Sequence, residues 1–155
     1  FTMSYAAEAL GIAAAAASLR IPCVISFTVE TDGRLPDGQP LGEAIGYVDG
    51  QAAQPPAYYM INCAHPTHFA AELAAGASWL SRISGLRANA SCRSHAELDG
   101  SSDLDSGNPA ELGRQYRRLR EVLPRLNVLG GCCGTDHRHL EAICESCLIP
   151  HGNAA

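Results

Sequence analysis

The sequence predicts an α/β protein in which short parallel strands alternate with crossover helices. Three observations carry this. Short apolar runs, rich in β-branched and aromatic residues, recur at 23–29, 58–62, 83–89 and 126–129. Helix-forming sequence follows each run. Pro, Gly and Asp punctuate the joints between the two kinds of segment. Repeated strand–helix units build a parallel sheet, either half of an eight-fold α/β barrel or a small open doubly wound sheet. In both, function collects at the C-terminal ends of the strands.

The elements follow in order. Residues 4–19 are Ala-rich and read as a helix that begins almost at the start of the chain. Pro22 closes the connection to the strand 23–29. Residues 31–38 carry two Asp-Gly-type turn signals, and 41–48 reads as a helix. Pro55-Pro56 breaks the chain before the strand 58–62. His65-Pro66-Thr67 opens a helix over 67–75, and 83–89 is the next strand. Residues 91–108 form a long polar loop rich in Ser, Asp and Gly, of the kind more often functional than idle. Residues 109–123 form an amphipathic helix with Leu112, Tyr116, Leu119 and Val122 on one face, and Arg114, Arg117, Arg118 and Arg120 on a solvated one. Pro124 ends it. The strand 126–129 runs into Gly130-Gly131-Cys132-Cys133-Gly134-Thr135, and Thr135 or Asp136 caps a helix over 136–147.

Length and composition set bounds. A chain of 155 residues with 46% apolar and 17% charged residues holds one ordinary domain with a real core. A net charge of -5 offers no basic patch for nucleic acid. No apolar run approaches the ~20 residues of a membrane-spanning helix. Seven cysteines is a high and odd count, and no secretory pattern precedes them. A cytoplasmic metal-binding or redox chain is expected over a secreted disulfide framework.

The cysteines fall where the chemistry should be. Cys63 follows the strand 58–62, and Cys132 and Cys133 follow the last strand between glycine pairs. Three protein ligands with a fourth, exchangeable position make a catalytic zinc site. Three soft thiolates leave such a site net negative, so a substrate thiol held there stays electron-rich. The metal also lowers that thiol's pKa. The flanking glycines let two adjacent side chains turn toward one ion. Other readings stay open. Cys63 could be a core residue. Cys132 and Cys133 could form a vicinal disulfide. Cys144-Glu145-Ser146-Cys147 could join Cys132 and Cys133 in a structural four-cysteine zinc site or a redox centre. His65, His137 and His139 lie near the thiols and could be ligands, proton relays or supporting residues. Cys23, Cys92, His68, His95 and His151 carry no readable signal.

These residues resemble a known family. Gly130-Gly131-Cys132-Cys133-Gly134-Thr135, followed by His139-Leu140-Glu141-Ala142-Ile143, is similar to the C-terminal signature of the zinc-dependent homocysteine S-methyltransferases. Ile61-Asn62-Cys63 resembles their upstream cysteine motif. The resemblance covers nearly the whole chain. It implies a (β/α)8 TIM barrel of which this chain is the second half, strands five to eight, with helix four ahead of them. Residues 1–155 then form a partial homocysteine-binding barrel domain. Cys63 would end strand six, and Cys132 and Cys133 strand eight, as the ligands of Zn2+. The implied reaction moves a methyl group from a small donor (S-methylmethionine, S-adenosylmethionine, betaine or similar) to the zinc-bound thiolate of homocysteine, giving methionine.

Two departures accompany the resemblance. Where many members carry Glu-Thr near the start of this region, the matching positions here are Phe1-Thr2. Where many carry Tyr-Pro-Asn at the end of strand seven, this chain has Arg87-Ala88-Asn89. Glu30, Asn62 and Asn89 are the candidate substrate contacts, with Glu30 in place of the missing acidic contact to the amino group. A half-barrel exposes strand edges and one face, so the stretch by itself is expected to be oligomeric or marginal, and inactive.

Overall fold

The computed structural model describes residues 2–73 and 76–148. Phe1, the last two residues of the expected 67–75 helix and His151 lie outside the described residues. The elements in chain order are β1 (Thr2–Met3), α1 (Ala6–Ser18), β2 (Val24–Phe27), α2 (Leu41–Gln51), β3 (Tyr58–Asn62) and α3 (Pro66–Leu73). A 3₁₀ turn (Ser78–Arg82), β4 (Ile83–Ala88), α4 (His95–Asp99), α5 (Pro109–Val122), β5 (Val128–Gly131) and α6 (His137–Cys147) complete the chain.

All strands are parallel, and their order in the sheet is their order in sequence, β1-β2-β3-β4-β5. A doubly wound sheet needs a point where that order reverses. None occurs among the described residues, so over these five strands the sheet is singly wound. Successive right-handed crossovers that never reverse place their helices on one face of the sheet. The burial pattern agrees. Ile25, Phe27, Tyr59, Ile61, Leu86 and Ala88 point into the core shared with the helices. Val24 and Val128 are 40% and 38% exposed, and Ser26 and Met60 are half-buried, on the other face. β2 and β3 are therefore two-faced, whereas β4 is buried at every position but Arg87.

Three elements differ from the sequence reading. The chain opens on β1, not on a helix: Thr2 and Met3 pair with Ser26 and Phe27 of β2. Two residues are too few for an alternating pattern to show. The last strand lies two residues later than 126–129, because Gly130 and Gly131 keep the ladder with Arg87 and Ala88 despite their low strand propensity. The 91–108 loop is not structureless. Ser94 and Glu97 form a reciprocal capping box that starts α4. On α5 the buried stripe is Leu112, Tyr116 and Leu119, and Leu123 continues it in place of Val122, which is 38% exposed.

Two interior polar groups hold the sheet. At the N-terminal ends of the strands Arg82 donates to Asp49 at 2.7 and 3.0 Å and to the Pro56 carbonyl at 2.6 Å, stacked over the Tyr59 ring. The Tyr59 hydroxyl donates to the same Asp49 at 2.9 Å. Near the C-terminal ends the fully buried Tyr116 hydroxyl accepts from the Ala88 N–H at 2.8 Å and donates to the Gly130 carbonyl at 2.6 Å. It ties β4 to β5 just before Cys132. Among the described residues no helix is long and apolar enough to cross a membrane.

Candidate metal centre

Cys63, Cys132 and Cys133 converge at the C-terminal ends of β3 and β5. Their sulfurs all lie within 4.8 Å of one another, and among the described residues they form the one group of three or more metal-ligating side chains. All seven cysteines are free, so Cys132 and Cys133 are not a vicinal disulfide. Cys144 and Cys147, on α6, are not part of the cluster.

The local backbone explains the convergence. Cys63 leaves β3 with φ +55, a left-handed conformation that costs a non-glycine residue on the order of 1–2 kcal/mol. Its neighbours hold it there. The Cys63 N–H donates to the Arg87 carbonyl at 3.1 Å. The Cys63 carbonyl accepts from Asn89 Nδ2 at 2.9 Å and faces His95 Nε2 at 2.6 Å. Across the site the Cys132 N–H donates to the Ala88 carbonyl at 2.8 Å. The Cys133 N–H donates to Asn89 Oδ1 at 3.2 Å, and its carbonyl accepts from the Ala90 N–H at 3.0 Å. Gly134 then turns at φ +78, where a Cβ would lie 2.6 Å from the Asp105 carbonyl oxygen. Only glycine lets the 91–108 loop close against the cysteine pair.

The electrostatics suit a cation. Burial pushes the Cys132 thiol up to about 12, and its bond to Cys63 and the nearby Cys63 and Cys133 groups add to the rise. A positive ion beside Cys132 would offset that rise. Sulfurs on one tetrahedral zinc at ordinary Zn–S lengths lie about 3.8 Å apart, so the cluster fits the ion with a small contraction. Cys133 is exposed and the other two are half-buried, which leaves one side of the cluster open.

Two cavities flank the thiols. One, of about 490 Å³, has Cys63, Cys133, Asn89, His95, Thr28 and Asp105 in its wall. It lies under the 91–108 loop. The other, of about 380 Å³, lies on the helix-free face of the sheet and includes Ser26, Met60, Asn62, Arg87 and Cys132.

The remaining candidates sort by geometry. Asn62 is buried beside the second cavity, accepts from the Ser26 hydroxyl and donates to Thr2 Oγ1. Asn89 borders the first cavity, but both ends of its amide are taken by the Cys63 and Cys133 backbones. Glu30 sets its carboxylate 3.3 Å from His95 Nδ1, behind the cavity wall. His65 is buried, shares a hydrogen bond with Thr67 at 2.8 Å, and its pKa is lowered to about 4, chiefly by burial. His139 is fully buried; its Nδ1 accepts from the Asp136 N–H and its Nε2–H donates to the Ser106 carbonyl at 2.8 Å. It fastens the far end of the loop to α6. His137 is exposed. None of the three joins the thiol cluster.

His95 is the residue that sequence reasoning missed. Burial works against its charged form, but the Cys63 carbonyl and the Glu30 carboxylate outweigh it and its pKa is raised. The only signal was the Ser-x-x-Glu box around it, which marks a helix start and says nothing of what the helix touches.

A sheet whose strands run parallel in sequence order, with three thiols meeting at its C-terminal ends beside an open pocket, makes this an α/β protein with a cysteine cluster where such folds carry their function. The family model described as homocysteine S-methyltransferase matches residues 1–147, and the chain belongs to that family. Among curated proteins none matches it.

Proposed function

We propose that this chain carries the thiol-activating site of a homocysteine S-methyltransferase, with Cys63, Cys132 and Cys133 as the ligands of one Zn2+. Its 155 residues are read as the second half of a (β/α)8 barrel, strands five to eight, with β1 as the end of strand four. The sequence-ordered parallel sheet with helices on one face supports that reading, because a barrel is such a sheet closed on itself. The observation that carries the function is the meeting of three thiols from two strand ends within 4.8 Å, open on one side, in a chain of this family.

When bound, zinc supplies Lewis-acid charge that keeps a substrate thiol deprotonated at neutral pH. The protein's own residues do the rest. The Cys63 and Cys132–Cys133 strand ends fix the donor set, and Asn89 fixes the two strand ends relative to each other. The cavity under the loop and the one on the sheet face give room on either side of the cluster for the amino-acid head of homocysteine and for the donor. Asn62 borders the sheet-face cavity, and Glu30 stands behind His95 at the wall of the other. A new S–CH3 bond forms on the homocysteine sulfur while the donor's bond to that methyl breaks, and the electron pair leaves with the donor. Holding both partners in line is the main service of such a pocket.

The test is zinc stoichiometry on the full-length protein purified under reducing conditions. One zinc per chain is expected, lost in both Cys63→Ser and Cys132→Ser, followed by methionine formation from homocysteine with one of S-methylmethionine, S-adenosylmethionine or betaine. Zinc that survives loss of Cys63 sinks the three-thiolate site.

A further inference from the structure

We infer that His95 is a positioning residue for the metal site, reaching from the 91–108 loop to lock the backbone of Cys63. This rests on the reading of Cys63, Cys132 and Cys133 as a ligand set.

Cys63 is held in a left-handed conformation, one that L side chains adopt at a cost. That conformation is what swings its sulfur to the other two thiols. A strained residue persists only where its surroundings over-determine it. Here a single carbonyl oxygen takes two side-chain donors, Asn89 Nδ2 at 2.9 Å and His95 Nε2 at 2.6 Å. Asn89 belongs to the strand end itself. His95 comes from α4, a separate element 32 residues along the chain.

The carbonyl can only accept, so His95 Nε2 carries a proton. The other ring nitrogen lies 3.3 Å from Glu30 Oε1 and donates to it when it too carries a proton. Glu30 is anchored in turn, since its N–H donates to the Arg34 carbonyl at 2.8 Å. The result is a relay of fixed positions, from the end of β2 through His95 to the ligand at the end of β3. The ring is half-buried and stands in the wall of the cavity beside Cys63 and Cys133.

The loop is fastened at several points, and His68 Nε2 on α3 holds its Cys92 carbonyl at 2.9 Å. His95 holds its start to Cys63. Ser91 Oγ donates to Asp105 Oδ2 at 2.6 Å and closes the loop on itself. His139 holds Ser106 to α6. Of these, only His95 touches a proposed ligand. It therefore couples closure of the loop over the pocket to the geometry of the thiols. Residues that orient metal ligands through one bond typically change metal affinity 10–100-fold when removed.

The test uses the full protein and three variants. Gln places an Nε2 donor where the histidine Nε2 stands; Ala removes it. Zinc affinity is measured by competition with a chromophoric chelator, and the cobalt(II)-substituted protein is read by its thiolate-to-metal absorption. His95→Ala is expected to bind one zinc about tenfold more weakly, with a shifted cobalt spectrum. His95→Gln is expected to recover most of both. Hydrogen exchange at residues 94–105 is expected to speed up in the Ala variant only. A Ser102→Ala control, in the same loop but away from the thiols, should change none of these. Unchanged zinc affinity and cobalt spectrum in His95→Ala overturn the inference while leaving the three-thiolate site intact. Equal losses in the Ala and Gln variants also overturn it, because they point to packing rather than to the hydrogen bond. A wild-type protein that binds no zinc overturns the ligand set itself, and this inference with it.

Discussion

Single atoms decide how the thiols meet. The Tyr116 hydroxyl is buried between β4 and β5 and satisfies the Ala88 N–H and the Gly130 carbonyl at once. Tyr116→Phe removes the buried hydroxyl that both of them contact. The expected loss is about 1–3 kcal/mol, read as a lower urea midpoint with an unchanged slope. Because Gly130 leads directly to Cys132, the same variant should also weaken zinc binding, which the chelator competition reports. Gly134→Ala acts from the other side of the cluster. Its φ of +78 disfavours any side chain, and a methyl group there would meet the Asp105 carbonyl oxygen at 2.6 Å. A destabilisation on the order of 1–3 kcal/mol is expected, with the loop rather than the sheet losing hydrogen-exchange protection. The thiols themselves were legible as a set in the sequence, since parallel strands bring their C-terminal ends to one edge whatever their separation along the chain. The role of His95 was not. It depends on two segments, 32 residues apart, meeting through a ring nitrogen and a carbonyl. No local spacing encodes such a contact.

Helix ends carry the next level of specification. Asn108 accepts from the Glu111 N–H at 3.0 Å and Pro109 follows it, so α5 starts on a cap and a residue that needs no N–H partner. Asn108→Ala is expected to cost about 1 kcal/mol by thermal or urea unfolding. Asp136 caps α6, immediately after the cysteine pair and its turn. Its carboxyl is held below the usual carboxylate range, chiefly by the Arg138 side chain. The unfolded chain therefore takes up the proton first as pH falls. The stabilisation from this charge is complete above about pH 4 and drains away below it. The Tm gap between wild type and Asp136→Asn should narrow as the buffer is taken from pH 6 to pH 3. A gap that stays constant would remove the charge from the account and leave only the cap geometry. At this scale the sequence located every long helix, because apolar periodicity and caps are local signals. It misplaced the elements with the weakest local signals: β1, with two residues; β5, which is half glycine; and α4, a single turn and a half inside a polar loop.

At the scale of the molecule the informative feature is what the sheet leaves uncovered. Strand–helix alternation alone could not choose between a barrel half and a doubly wound sheet, and only the family resemblance pointed to the barrel. The choice lies in long-range strand order, which the unbroken β1-to-β5 series makes in favour of a singly wound sheet. Among the described residues such a sheet has helices on one face, edges at β1 and β5 without a further strand, and a second face bearing Val24, Met60 and Val128 partly exposed. Open parallel edges and an apolar-flecked face are templates for association. The proposed barrel would close both edges and turn that face inward. Expressed by itself, the stretch 1–155 is therefore expected to self-associate in sedimentation velocity, to bind 8-anilinonaphthalene-1-sulfonate, and to show no methyl transfer even with zinc present. Substituting Val24 and Val128 with Thr should reduce dye binding without disturbing the helix-side core. A monomeric 1–155 protein with cooperative unfolding and full activity would contradict the half-barrel reading, since it would mean that the uncovered face is a finished surface and that the thiol site needs no further strands to work.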